Sequence, residues 1–309
     1  MLHQIGIRKM DKQVIEISND DFTLSIKQGF LCITNQIEQR KIPLDMILSV
    51  IISSHNAIIS KNSVISICKN GGNIIFCDKK YNPNAITLSC QGHWLISQRI
   101  NWQINSSIPL KKNLWKAIIV QKISNQALIV KNFDPENIAI EKLKQLAKTT
   151  LSNDSKNNEA QAARIYFKAL FGNDFIRDRD KNDINILLNF SYIVLRSMIA
   201  RAVVGSGLLS CLGIKHCAKT NTMPLVDDLM EPFRPIADKL VVEEISKLED
   251  SQNIILSPEI KRRLTHIISY RVKVAKGEMP LNEALSIFIN SLVKSFEHKK
   301  ILIEFPKIL

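Results

Sequence analysis

Hydrophobic positions in the first 80 residues fall into short runs rich in β-branched residues, which are typical of strands. β-branched runs are broken by turn signals such as the glycine pair Gly71–Gly72, and a proline at Pro43 favours the first turn of a short helix. The predicted strands are VIEIS (14–18), FTLSI (22–26), GFLCI (29–33) and GGNIIFC (71–77). This pattern predicts a small β-rich domain over residues 1–80.

From about residue 93 the hydrophobic period becomes helical. Leu114 and Ile118, then Ile119 and Ile123, are four residues apart, and a helix over 159–172 closes at Gly172, a favourable C-terminal cap. Further helices are predicted over 184–212, 225–250, 258–275 and 280–297. The predicted fold class is therefore α+β: a β-rich N-terminal domain, a junction at 81–92 and an all-α domain over 93–309.

One apolar stretch, 191–214, has the length of a membrane span. Arg196 and Arg201 interrupt it, and a guanidinium at a bilayer centre is costly. We therefore predict a buried core helix and no membrane partner.

Composition adds a preference for anionic partners. The 309 residues carry 42 Lys and Arg against 29 Asp and Glu, a formal net charge of +13, which favours nucleic acid. The six cysteines form no CxxC pair and the chain opens without a signal peptide. Reduced thiols and a cytoplasmic location are therefore expected.

Against this charge, the segment PLVDDLMEPFRP (224–235) gathers three acids. Asp228 and Glu231 are three residues apart, so one helix turn places them on the same face. Because close carboxylates repel, we expect a cation between them, either Arg234 or a metal ion. An ordinary solvated helix face remains the alternative.

Two distant residues extend this acidic segment to a possible metal site. Glu159 opens a helix, where a carboxylate also complements the helix dipole, and His216 follows a long apolar helix, where a structural histidine is the alternative. Together with Asp228 and Glu231 they supply carboxylate and imidazole ligands, a set that suits Mg²⁺ or Mn²⁺. An acidic metal pocket in a basic chain is typical of enzymes that process DNA or RNA.

Four segments in order then resemble one family, the CRISPR-associated integrase known as CRISPR-associated protein one. They are LKKNLWKAIIVQKISNQ (110–126), EAQAARIYF (159–167), the long helix and histidine loop at 189–216, and VDDLMEPFRP (226–235). The first and last segments are most similar to the type II branch. The resemblance covers nearly the whole chain and includes the order of a β domain before a helical one.

The resemblance implies a role for each site residue. Glu159, His216 and Glu231 match the metal ligands of the family, with Glu231 standing where many relatives have Asp. Asp228 matches a supporting acid beside the pocket. All four are therefore expected to serve catalysis.

Other residues of these segments carry further expectations. Asp227 stands at a position that is often Tyr and is given no role. Arg234 is expected to pair with a neighbouring acid. Arg164 and Lys168 are expected to face phosphate from the helix that Glu159 opens.

The resemblance also implies the reaction and the assembly. Such a protein joins the 3′-hydroxyl ends of a short DNA fragment to a chromosomal repeat by metal-assisted transesterification. Its β domains pair into a homodimer, and two dimers flank a dimer of CRISPR-associated protein two in a heterohexamer. Type II effector nuclease machinery is a further expected partner.

Two alternatives remain open from the sequence. The chain is a basic DNA-binding scaffold without catalysis if its three candidate ligands are structural. It is a metal-dependent repair nuclease if the chemistry serves another pathway.

Overall fold

Two compact units make up the chain, Met1–Gln91 and Gly92–Leu309. The protein is described from a computed structural model, which covers residues 13–18, 20–77, 83–87, 94–178, 180–181, 183–216, 220–247 and 254–309.

The N-terminal unit contains two four-stranded sheets and one described helix. Its elements are β1 (Gln13–Ile17), β2 (Thr23–Lys27), β3 (Phe30–Thr34), β4 (Gln39–Pro43), β5 (Ile47–Ile52), β6 (Ile58–Ile59), α1 (Lys61–Lys69), β7 (Asn73–Cys77) and β8 (Pro83–Thr87). One sheet has the order β1-β5-β7-β8 and the other β4-β3-β2-β6. In the first, β1, β5 and β7 run parallel and β8 closes the edge antiparallel.

The position of β5 explains its sequence. All six residues of ILSVII are buried, as expected of a strand that is covered on both faces of a parallel sheet. Val50 and Ile74 from this sheet join Leu24 and Leu31 from the other in one hydrophobic core, together with Ile67 of α1.

The C-terminal unit is mostly helical. Its helices are α2 (Ile96–Ile104), α3 (Ile108–Phe133), α4 (Ala139–Thr149), α5 (Asn158–Phe171), α6 (Ile184–Gly205), α7 (Pro224–Met230), α8 (Arg234–Ile245), α9 (Pro258–Leu264) and α10 (Leu281–His298). Its short strands are β9 (Arg271–Val274), β10 (Gly277–Pro280) and β11 (Lys307–Ile308). The long helix α3 packs against α4, α5, α8 and the 3-10 turn Glu231–Phe233. The α+β class, with a β-rich region before a mostly helical one, is confirmed.

The predicted all-α domain, however, also contains the sheet β10-β9-β11, and the helix predicted over 258–275 was wrong beyond Ile268. Helix α9 ends at Leu264, a 3-10 turn follows to Ile268, and residues 271–274 alternate between exposed and buried positions. That alternation has the period of a strand, which a count of apolar residues overlooks.

Other boundaries differ for local reasons. Helix α6 stops at Gly205 rather than 212, because Gly207 takes a positive φ of 69°. The predicted helix 225–250 is broken by the 3-10 turn at 231–233, which contains Pro232, and residues 248–250 lie outside the described residues. Within the predicted junction 81–92, residues 83–87 form β8. Residues 81–82 and 88–92 lie outside the described residues.

Helix α6 is long and apolar enough to cross a membrane by length and composition alone. Of its most apolar window, 67% is buried inside the helical unit. Arg196 also forms an ion pair with Asp227, at 2.7 Å between Nε and Oδ1. Burial of this kind is typical of a core helix.

The end of α5 allows a test of the backbone. Gly172 has φ 91° and ψ 168°, a conformation that essentially only glycine adopts, although a Cβ there would meet no atom of the described residues within 4 Å. We predict that Gly172→Ala lowers the free energy of unfolding by about 1–3 kcal/mol, measured by urea denaturation. Gly205→Ala is the control, because its site is equally open and its φ is not positive; it should be neutral or stabilising. Equal effects of the two changes would contradict the conclusion that the backbone conformation at residue 172 requires glycine.

Candidate active site

A buried ammonium group lies at the centre of the candidate site. Lys122 of α3 has a side chain only 9% exposed, and its Nζ lies 2.7 Å from Glu159 Oε1 and 2.5 Å from Glu231 Oε2. Burial lowers the pKa of Lys122, but Glu231 and Glu159 outweigh that effect and raise the pKa above its ordinary value. The two carboxylates predicted as metal ligands are thus brought together on one nitrogen atom.

Glu159 is positioned by the first turn of α5. The carboxylate of Asp154 accepts hydrogen bonds from the backbone N–H groups of Asn158 (2.9 Å) and Glu159 (3.0 Å). Asp154 therefore satisfies two of the N–H groups that a helix start leaves without partners. The Glu159 side chain remains 27% exposed, so one end of the cluster is open to solvent.

Glu231 is more deeply buried and is fixed from two sides. Its Oε1 accepts a hydrogen bond from Arg234 Nε at 2.9 Å, while Oε2 faces Lys122 without a well-directed hydrogen bond from any described residue. Burial alone would raise the pKa of Glu231, but Arg234 and Lys122 lower it to about 2. The group is therefore an ionised carboxylate held between two cations.

Asp228 organises the histidine loop. Its fully buried carboxylate accepts hydrogen bonds from the backbone N–H groups of Ile214 (2.6 Å), Lys215 (2.9 Å) and His216 (3.3 Å). A Cβ on Gly213 would collide with the His216 carbonyl oxygen and crowd Asp228. The loop can close around the carboxylate only because residue 213 is glycine.

The same carboxylate orients the imidazole of His216. Asp228 Oδ1 lies 2.5 Å from His216 Nδ1, so the neutral ring carries its proton on Nδ1 and leaves the Nε2 lone pair free to bind a ligand. The hydrogen bond to Asp228 raises the pKa of His216, burial opposes it, and Glu231 and Glu159 add to the increase. The ring also packs edge-on against Trp115, with 5.5 Å between ring centroids.

A second buried acid lies behind Arg234. Asp238 accepts hydrogen bonds from the hydroxyl groups of Tyr166 (3.0 Å) and Tyr192 (2.5 Å). Burial raises the pKa of Asp238 to about 6, although both tyrosines and Arg234 act in the opposite direction. Arg234 lies over the Tyr192 ring, 4.6 Å from its centroid, which links this group to Glu231.

One of the two cations predicted between Asp228 and Glu231, Arg234, does not lie between them. Asp228 and Glu231 share no cation among the described residues, because α7 ends at Met230 and the chain then tightens into a 3-10 turn. Asp228 meets the N–H groups of the histidine loop, whereas Glu231 meets Lys122 and Arg234. The expected pairing of Arg234 with a neighbouring acid is confirmed.

The remaining predicted residues lie outside this cluster. Asp227 pairs with Arg196 and accepts a hydrogen bond from Asn221 at 2.8 Å. Arg164 and Lys168 are exposed on α5, so their contact with phosphate stays a prediction.

The donor chemistry of the cluster fits a hard divalent cation, but its placement is that of a salt bridge. Within the described ranges, no group of three or more His, Cys, Asp or Glu side chains is arranged to hold a metal ion. Lys122 Nζ lies between the two glutamates. The cluster nevertheless contains two carboxylates, Glu159 and Glu231, and the oriented imidazole of His216. This set of donors suits Mg²⁺ or Mn²⁺.

Sequence analysis missed two central residues, Lys122 and Asp238. A signal for Lys122 exists: Leu114, Ile118 and Lys122 follow one another at four-residue steps, so the lysine continues a buried stripe. A lysine is almost never fully buried without a partner. The pattern therefore predicts acidic side chains opposite residue 122. No comparable signal marks Asp238.

Comparison with known proteins identifies the family. Residues 15–266 match the family described as CRISPR associated protein Cas1. The CRISPR-associated endonuclease Cas1 of Neisseria meningitidis serogroup C is 33% identical over 276 residues, covering 89% of this chain and 88% of the relative. A Cas1 endonuclease of Francisella tularensis subsp. novicida is 27% identical over 85% of this chain and 94% of its own length. The chain belongs to the Cas1 family, as predicted.

Solved structures agree with the fold. A casposase bound to integration product has a TM-score of 0.78 at 18% identity, over 94% of this chain and 92% of its own. A Cas1 protein from Thermotoga maritima has a TM-score of 0.73 at 14% identity, over 95% and 100%. A third similar chain belongs to a Cas6-RT-Cas1–Cas2 complex, with a TM-score of 0.76 at 16% identity over 98% of this chain and 37% of that longer chain.

The central salt bridge generates a stability prediction. Lys122→Met leaves Glu159 and Glu231 facing each other without their shared cation, so we expect a loss of about 3–5 kcal/mol in the free energy of unfolding. We expect the double variant, Lys122→Met with Glu231→Gln, to lose less unfolding free energy than the sum of the two single variants. The difference should be about 0.5–3 kcal/mol. Urea denaturation of the four proteins gives this coupling energy.

Lys112→Met is the control for that cycle, since it removes an exposed lysine from the same helix and should change stability by less than about 0.5 kcal/mol. Additive losses would show that Lys122 and Glu231 do not stabilise each other.

Asp238 generates a prediction about pH. Its pKa of about 6 in the folded protein exceeds the ordinary 3.8, so the folded state binds the proton more tightly. The protonated Asp238 contributes its full stabilisation below about pH 4. As the pH rises through about 6, the free energy of unfolding falls by about 3 kcal/mol, which corresponds to two pKa units. Asp238→Asn does not titrate and should lack this loss between pH 4 and pH 7 in urea denaturation.

Glu283→Gln removes an exposed carboxylate and should keep the pH dependence of the parent protein. The same slope in the Asp238 variant as in the parent would refute the assignment to Asp238.

Proposed function

We propose that the protein is a metal-dependent DNA endonuclease and integrase, which inserts short foreign DNA fragments as spacers into a CRISPR array by transesterification. The observation that carries this proposal is the meeting of Glu159 and Glu231 on Lys122 Nζ, beside the imidazole that Asp228 orients. Membership of the Cas1 family and the curated name of its relatives, CRISPR-associated endonuclease, support it. Family membership also favours spacer integration over a role in repair.

Each residue has a defined task in this proposal. Glu159, His216 and Glu231 would hold one Mg²⁺ or Mn²⁺ ion. That ion, when bound, would stabilise negative charge on the phosphodiester and activate an oxygen nucleophile. Asp228 keeps the Nε2 lone pair of His216 directed outward, and Arg234 fixes the carboxylate plane of Glu231 through Oε1.

The reaction exchanges one phosphodiester bond for another. The 3′-hydroxyl oxygen of the fragment loses its proton and bonds to a phosphorus atom of the repeat. The bond from that phosphorus to the 3′-oxygen of the cleaved strand breaks, and that oxygen takes up a proton. With water as nucleophile the same chemistry hydrolyses branched DNA. The net charge of +13 offsets the repulsion between DNA and the acids of the site.

We also propose the partners and the location. One similar structure is a Cas6-RT-Cas1–Cas2 complex, and another is a casposase bound to integration product. These likenesses support DNA and CRISPR-associated protein two as partners. We propose that the assembly is a heterohexamer built on homodimers of the β-rich unit. Type II effector machinery is a further proposed partner, and the cytoplasm, where the chromosome lies, the proposed location.

One observation favours a second candidate, a DNA-binding scaffold without catalysis. Lys122 and Arg234 neutralise Glu231, and Lys122 also neutralises Glu159, so both acids have a structural explanation without any ion. A scaffold would bind DNA but would not need the donor set completed by His216.

Strand transfer on a repeat-containing plasmid separates the two functions. We predict that His216→Ala abolishes transfer while DNA binding by fluorescence anisotropy changes little, because truncating a half-exposed loop ring leaves a small cavity. Glu231→Gln should abolish transfer at every Mn²⁺ concentration. Asp228→Asn should be impaired about 10–100-fold and partly rescued by excess Mn²⁺, because it acts through the ring of His216.

Asp227→Asn provides a matched control one residue away, since that carboxylate pairs with Arg196 outside the cluster. It should retain transfer within a few-fold of the parent rate. Normal transfer by the His216 and Glu231 variants would refute their roles as metal ligands. DNA binding by the parent protein without any strand transfer would leave the scaffold as the correct function.

A further inference from the structure

Helix α2 buries a glutamine where a core helix usually buries an apolar side chain. Within the described part of the chain, Gln103 is the one buried residue of α2, and it is 1% exposed. Glutamine is mostly found at protein surfaces, and buried polar groups are kept where their hydrogen bonds are made. The partners of this amide therefore indicate what the helix holds in place.

The Gln103 amide binds a single turn of the backbone. Its Nε2 donates hydrogen bonds to the carbonyl oxygen atoms of Leu209 and Leu212, each at 3.0 Å, and its Oε1 accepts one from the Leu209 N–H at 2.9 Å. Both donors of the amide are thus used. The Leu212 N–H also donates to the Leu209 carbonyl oxygen at 3.3 Å, so residues 209–212 form one turn that Gln103 holds at both ends.

The histidine loop departs from this turn. Gly213 follows Leu212 directly, and a Cβ at residue 213 would collide with the His216 carbonyl oxygen, so the chain doubles back at once. Asp228 then binds the N–H groups of residues 214–216. Because Gly213 alone separates the turn from the residues that Asp228 binds, a displacement of the turn moves the loop that carries His216.

Two further hydrogen bonds hold the chain around this turn. Arg99, one helical turn before Gln103, donates from Nη1 to the Ser206 carbonyl oxygen at the end of α6, at 2.8 Å. The N–H of Leu225, in the helix α7 that carries Asp228, donates to the Ser210 carbonyl oxygen at 3.0 Å. The histidine loop is thus fixed at its base by α2 and along its length by α7.

We infer that Gln103 is a positioning residue of the candidate active site: its amide fixes the turn at 209–212 and thereby holds the Nδ1 edge of the His216 ring against Asp228. The inference rests on the proposed function for the task of the ring, but not for the orientation of the ring, which requires no ion. It goes beyond that function because α2 contributes none of the proposed metal ligands.

The orientation of the ring is measured in EDTA by NMR of ¹⁵N-labelled histidine, at alkaline pH where the rings are neutral. His216→Ala identifies the His216 signal. The parent protein should show this ring protonated on Nδ1, because Asp228 Oδ1 lies 2.5 Å from that atom. Gln103→Met keeps the side-chain length and removes all three hydrogen bonds, so it should shift the signal towards the mixture of tautomers of a solvated imidazole.

Three further variants guard the interpretation. Gln98→Met makes the same change at an exposed glutamine of α2 and should leave the signal unchanged. Ser291→Ala removes a buried hydroxyl of α10 that accepts a hydrogen bond from the Glu304 N–H at 2.8 Å, so it should lower the thermal unfolding midpoint without moving the signal. Gln103→Asn keeps the amide on a side chain one methylene shorter, so it should fold and shift the signal in the same direction as Gln103→Met.

The consequence for an ion is measured separately, as free Mn²⁺ by electron paramagnetic resonance. Gln103→Met should weaken Mn²⁺ binding about 10–100-fold, as is typical of residues that orient a metal ligand. In the His216→Ala background the same change should cause no further loss, because its effect passes through that ring. Equal losses in both backgrounds would show a general effect on the fold and would overturn the inference.

Two results of the NMR measurement would also overturn it. One is an unchanged His216 signal in both Gln103 variants, and the other is an equal shift of that signal by Ser291→Ala. Failure of the proposed function gives a different pattern, in which the parent protein binds no Mn²⁺ while the ring signal still responds to Gln103.

Discussion

The architecture of the helical unit depends on one buried ammonium group. Moving Lys122 Nζ out of water costs several kcal/mol, and among the described residues two carboxylates opposite it offset that cost. Those carboxylates come from the start of α5 and from the 3-10 turn after α7, which are far apart in the sequence. The requirement to neutralise one lysine therefore links three elements, and the site forms where they meet.

Acidic side chains have two different electrostatic environments within this site. Glu231 is surrounded by cations, Lys122 and Arg234, which hold it ionised with a pKa of about 2. Asp228 is surrounded by backbone N–H groups, which satisfy its oxygen atoms without cancelling its charge. The uncancelled charge then acts on the His216 ring, whose pKa the hydrogen bond to Asp228 raises. One acid is thus suited to ligation and the other to orienting a ligand.

The sequence predicted the fold class, several strands and the start and end of α5 because those depend on local patterns: β-branched runs, an acid at a helix start and a glycine at its end. It could not predict the sheet order, in which β1 pairs with β5 and β5 with β7, since strand pairing is non-local. It also placed Asp228 and Glu231 beside one cation, because a uniform helix was assumed across Pro232. The sequence identified the acidic residues but not their partners. The spacing along α3 indicates only that Lys122 is buried, and it does not identify that lysine as the partner of Glu231.

Helix α3 shows how one element serves both the core and the site. Its buried positions at four-residue steps change from Leu114 and Ile118 to Lys122 and Gln126, and each step advances about 6 Å along the axis. The apolar half anchors the helix among its neighbours, so the polar half inherits a fixed position from that packing. Asn125 reinforces that position by donating a hydrogen bond from Nδ2 to the Pro232 carbonyl oxygen at 2.7 Å, which ties α3 to the turn that carries Glu231. A shift of α3 by one residue would turn Lys122 away from both acids, so the packing of Leu114 and Ile118 sets the geometry of the charged cluster further along the helix.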